Sequence, residues 1–88
     1  MLLDKVKLSL QITSNSFDDE INDLIESCKH DLKLSGVNYT FDSDPLFVQA
    51  AKLYCKAHFG DNDSNEKFLN SYHALKISMS LSGDYANG

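Results

Sequence analysis

The sequence predicts an all-α fold, a small bundle of about four helices whose C-terminal segment is helical or extended. Three observations carry this. Phe17, Ile21, Leu24, Ile25, Cys28 and Leu32 recur at three- and four-residue steps, which makes one apolar stripe on a helix. The run from Asp44 to Gly60 opens on Asp-Pro and is apolar on nearly every side, as a central helix is. The chain has 88 residues, so residues 1–88 form a single domain that buries only about 60–65% of its unfolded surface.

The elements follow in order. Residues 2–12 read as a short amphipathic helix, with Leu2, Leu3, Val6 and Leu10 on one face and Asp4, Lys5 and Lys7 in water. Ile12 to Ser16 is a polar break, and Ser16 is the expected N-cap of the second helix. Asp18, Asp19 and Glu20 then fall in its first turn, where the helix dipole favours anions. That helix runs over about residues 17–35 and stops at Gly36, which tolerates a positive φ. Val37, Tyr39 and Phe41 alternate with polar residues in a connector. Asp44 caps the third helix, Pro45 takes its first position, and it closes at Phe59 before Gly60.

The fourth helix begins near Ser64 or Asn65, with Phe68, Leu69, Tyr72 and Leu75 on its inner face. Beyond Leu75 the pattern fits two conformations. Phe68, Tyr72, Leu75 and Met79 extend a helical stripe. Leu75, Ile77, Met79 and Leu81, separated by Lys76, Ser78 and Ser80, alternate as in a strand. A lone strand leaves both edges unpaired and needs a partner.

Charge narrows the function. Thirteen Asp and Glu face eight Lys, with no Arg, for a net charge of −5. Sequence-specific nucleic-acid binders concentrate Lys and Arg on one face, so that class is disfavoured. No run approaches the roughly 20 apolar residues of a membrane span. The N-terminus lacks a signal-peptide pattern, and Cys28 and Cys55 lie in separate helices. A reducing compartment and free thiols are expected.

Candidate chemistry is sparse. Asp61, Asn62, Asp63, Ser64 and Asn65 have the oxygen-rich look of a calcium loop. Glu66 and Tyr72 occupy the positions where the EF-hand needs its glycine and bidentate glutamate. The segment reads instead as a polar loop whose Ser64 or Asn65 caps the next helix. Cys55 and His58, three residues apart on one helical face, give a single closely spaced pair for zinc with Cys28, His30 or His73. They equally give a nucleophile and base without an oxyanion loop or orienting third group. A buried structural Cys55 and a His58 serving the helix C-terminus are the simpler reading. No metal, cofactor or enzymatic activity is expected.

The order of elements then resembles a known family. A short leading helix precedes a long one ending at Gly36. An Asp-Pro-started apolar helix closes on Ala57-His58-Phe59-Gly60, a polar loop leads to a Phe/Tyr helix, and the chain ends on Leu81-Ser82-Gly83-Asp84-Tyr85. This looks like the small head–tail connector proteins of long-tailed phages and prophages, the head-completion or DNA-packaging class. The resemblance implies a non-enzymatic virion protein at the head–tail junction, assembled from the host cytoplasm. It implies a ring, typically of about twelve copies, under the portal. That ring presents a docking surface to the next neck or tail component and joins the DNA-filled head to the tail.

The residues agree in two respects. Residues 75–88 read as a C-terminal partner-binding segment, with Leu75, Lys76, Ile77, Leu81, Gly83, Asp84 and Tyr85 as candidate contacts. Packing of Leu81 and Tyr85 back on their own bundle is the simpler alternative. An acidic chain can also line a DNA passage without gripping it. The alternative from another class is a small acidic regulatory or inhibitor protein that binds another protein. It would need carboxylates spaced along one face, and here they cluster at helix starts.

Overall fold

The computed structural model describes residues 2–38, 42–60 and 63–82. Helix α1 spans Leu2–Leu10, α2 Asp18–Leu34, α3 Pro45–His58 and α4 Asn65–Leu81, and no strand occurs among the described residues. The predicted all-α bundle is what is found. The Cα radius of gyration is 12.6 Å, close to the roughly 12 Å of a well-packed chain this long.

Helix α3 is the hub and packs against α1, α2 and α4. Its sequence allows this because Phe47, Val48, Ala50, Ala51, Cys55 and Ala57 are all buried. The small alanines let neighbouring helices approach closely, and Phe47 fills the centre. Val6 of α1, Ile21, Ile25, Cys28 and Leu32 of α2, and Tyr72 and Met79 of α4 close the core around it.

The helix ends follow local chemistry. The Asp44 carboxylate accepts from the Leu46 and Phe47 amides at 3.0 and 3.3 Å, and Pro45 takes the first position. Helix α2 closes in a Schellman motif. The Val37 amide bonds the Leu32 carbonyl at 2.9 Å, the Gly36 amide bonds Lys33 at 3.1 Å, and Gly36 has φ +82°. Helix α1 ends the same way, two residues earlier than predicted. The Ile12 amide bonds Lys7 and the Gln11 amide bonds Leu8, with Gln11 itself at φ 61°.

Two capping expectations change. Ser16 does not cap α2. Its amide and hydroxyl are turned to the Ser14 Oγ, each at 3.0 Å, and Phe17 holds the N-cap position without a side-chain bond. The three acids remain in the first turn as expected. At α4, Ser64 holds the N-cap position without a side-chain cap, and Asn65 serves the preceding helix instead. The Asn65 Nδ2 donates to the carbonyls of Ala57 at 2.7 Å and Lys56 at 3.4 Å, tying the start of α4 to the end of α3.

Lys7 does not stay in water. It is buried, and its ammonium reaches Asn15 Oδ1 and Asp18 Oδ1, both at 2.8 Å. Asp18 Oδ1 is buried without a hydrogen bond, so this ammonium answers it as an ion pair. The long lysine stem covers apolar surface while its head fixes the α1–α2 turn. Tyr39 and Phe41 lie outside the described residues.

Candidate partner-docking surface

The segment after Leu75 is helical. Helix α4 continues unbroken to Leu81, and the Ser82 amide closes it on Met79 at 3.2 Å. The strand pattern in the sequence is therefore the trace of a helix that is apolar on two sides. Met79 is buried and Leu75 packs against the core, whereas Ile77 is 58% and Leu81 81% exposed. Ile77 and Leu81 are four residues apart, so they form one outward ridge. Gly83, Asp84 and Tyr85 lie outside the described residues.

Lys76 has a different place. Its ammonium binds Asp31 Oδ2 of α2 at 3.0 Å and stands 5.4 Å from the centre of the Tyr72 ring. The Tyr72 hydroxyl donates to the same oxygen at 2.6 Å and accepts from the Cys28 thiol at 4.0 Å. Tyr72 also meets the Tyr54 ring edge-on at 5.1 Å. One carboxylate thus holds α4 to α2 across the hub helix. Partial burial opposes the charge on Asp31, but the hydrogen bonds from Tyr72 and Lys76 outweigh it and bring its pKa below the usual carboxylate range. Burial, with the Asp31 bond, pushes the Tyr72 phenol well above its usual range.

Sequence reasoning missed this clamp, although a signal was present. Asp31 stands three residues past Cys28 beside the apolar stripe of α2, and Tyr72 and Lys76 are four residues apart on α4. A polar residue at the border of a stripe, facing a Tyr/Lys pair, marks a bridge between helices.

The metal and nucleophile candidates separate in space. Cys55 is fully buried, while His58, in the last turn of α3, is exposed and lies 4.3 Å from the Tyr54 ring. They are neighbours one turn apart on α3, but the Cys55 thiol is in the core and the His58 ring is in water. Burial pushes both thiols up to about 12, which keeps them protonated. Among the described residues no three of His, Cys, Asp and Glu gather where they could hold a metal ion. No helix among the described residues is long and apolar enough to cross a membrane.

A second feature lies at the other end of α4. Leu10, Gln11, Lys56, Phe59, Gly60 and Phe68 line an open groove of about 470 Å³ between the ends of α1 and α3 and the start of α4. The Lys56 ammonium stands 5.1 Å from the Phe68 ring centre. Phe68 was expected in the core stripe, and it is half-buried along this groove instead. Phe59 meets the exposed Phe17 ring edge-on at 5.5 Å beside it.

The bundle thus has buried, protonated thiols and an outward apolar ridge on α4, and the family comparison says what kind of protein it is. A family model described as phage connector protein matches residues 2–86, and the chain belongs to that family. It is a phage structural protein of the connector, associated with the virion and acting with other head or tail components. Neither the curated proteins nor the solved structures compared with the chain give a match.

Proposed function

We propose that this connector protein is a non-catalytic subunit of the head–tail neck that docks beneath the portal as part of a ring, typically of about twelve copies. The family match over residues 2–86 carries this reading. The ridge of Ile77 and Leu81 supports it, since these two exposed apolar side chains adjoin on one face of α4, whereas Leu8 and Leu34 are exposed singly on other helices. Residues 75–88 are the partner-binding segment, with Ile77 and Leu81 as its outward contacts and Gly83, Asp84 and Tyr85 as further contact residues. Leu75 and Lys76 set its position by packing on the core and on Asp31. The net charge of −5 suits a ring through which DNA passes without being held.

The test is made in the particle. Virions of the phage or induced prophage encoding the chain are purified and probed by mass spectrometry and by antibody labelling. Label at the head–tail junction is the expected result, and particle reconstruction then counts the copies. Absence from intact particles overturns the reading and favours a small acidic regulatory protein.

A further inference from the structure

The groove bounded by Leu10, Gln11, Lys56, Phe59, Gly60 and Phe68 sets three apolar side chains beside one lysine. Its lining is mixed: Leu10, Phe59 and Phe68 supply the apolar part, Ser9, Gln11 and backbone groups a larger polar part, and Lys56 stands at its edge. Among the described residues that ammonium meets the Phe68 ring and no carboxylate. The chain carries the complementary pair. Of residues 83–88, Tyr85 is the one large apolar side chain and Asp84 the one charged side chain.

The two features stand at opposite ends of α4. Phe68 lies in its first turn, and the C-terminal segment leaves from Ser82. Fourteen residues of helix separate them by about 21 Å, at about 1.5 Å each. Three residues of extended chain, Ser82 to Tyr85, reach at most about 10–11 Å. Even directed straight back along α4, the Tyr85 Cα stops about 10 Å short of Phe68, a gap that only the two aromatic side chains at full reach would close. The groove of a neighbouring copy carries no such constraint.

We propose that the groove takes the C-terminal segment of a second copy, with Tyr85 seated among Leu10, Phe59 and Phe68 and Asp84 against Lys56. Such a contact is head-to-tail: each copy offers its groove to one neighbour and its segment to the other. Repeated contacts of this kind make a ring when the rotation closes. The proposal rests on the ring reading above and adds the residues that join one copy to the next.

The test places p-benzoylphenylalanine at position 85 of the full chain in assembled particles. Irradiation is expected to join two copies, with the new bond in a peptide containing residues 9–11, 56–60 or 68. A bond to a different phage protein, or no bond between copies, in particles whose neck still carries the chain overturns the groove and leaves the connector reading standing. Loss of the chain from the neck of wild-type particles overturns both. Charge reversal supplies a second measure. Lys56→Glu is expected to lower particle yield at least tenfold, and Asp84→Lys in the same chain to restore it. A double variant that keeps its helical circular dichroism but stays as defective as Lys56→Glu also overturns the proposal.

Discussion

The Tyr72 hydroxyl of α4 lies 2.6 Å from the Asp31 carboxylate of α2, on an oxygen that also receives the Lys76 ammonium. The clamp joins helices that each pack mainly on α3. It fixes where the second half of α4 stands, and with it the direction of the Ile77–Leu81 ridge. Tyr72→Phe keeps the ring packing and removes the hydrogen bond. The expected loss is about 1–2 kcal/mol, at or just below the low end of the range for a bond to a charged group because Asp31 is partly solvated. Urea unfolding followed by circular dichroism measures it, and a change under about 0.3 kcal/mol refutes the clamp.

The same carboxylate sets a pH dependence. The folded-state pKa of Asp31 is lowered, so its contribution is fully present above the unfolded carboxyl value near pH 4. It is lost as pH falls from there through the folded value. The urea midpoint should therefore fall below about pH 4 more steeply in the wild type than in Asp31→Asn. Parallel curves for the two proteins would show that Asp31 is not the group responsible.

Two helix ends make opposite predictions from one geometry. Gln11 and Gly36 both occupy the left-handed C′ position, at φ 61° and 82°. Gln11→Gly relieves a side-chain clash with the backbone and should stabilise by about 0.5–1 kcal/mol. Gly36→Ala should destabilise by about 1–2 kcal/mol. A Cβ at Gly36 meets nothing within 4 Å, so the whole cost is in the backbone. Thermal melts of the two variants should move in opposite directions.

The thiols report on the core. Cys28 and Cys55 are buried, with pKa values up to about 12, so an aromatic disulfide reagent at pH 8 should leave the folded protein unmodified. In urea both should react, and the native-state rate should follow the unfolding equilibrium. Rapid labelling of either thiol in native buffer contradicts the packing of α2 on α3.

The ridge separates folding from assembly. Ile77→Gln with Leu81→Gln makes the exposed ridge polar without placing an anion at the C-terminal end of α4, and should change stability by no more than about 1 kcal/mol. Particle formation should fall by at least tenfold. Normal particle yield from a normally folded double variant removes the ridge from the docking surface.

Local chemistry in the sequence determined where helices exist. Asp44-Pro45 starts α3, Gly36 stops α2, and the stripe from Ile21 to Leu32 names the face that α2 buries. These are properties of neighbouring residues, so a one-dimensional string carries them. Tertiary structure decided what neighbours in the chain do not constrain. Leu75 to Leu81 fits a strand or a helix by spacing, and packing of Met79 into the core chose the helix. Lys7 reads as a solvated charge until the turn brings Asn15 and Asp18 to it. Asp31 finds Tyr72 and Lys76 across more than forty positions, and the groove at Phe68 exists only where three helix ends meet. Such contacts depend on how helices are laid against one another, and that arrangement is set by the burial of the whole core rather than by any local pattern.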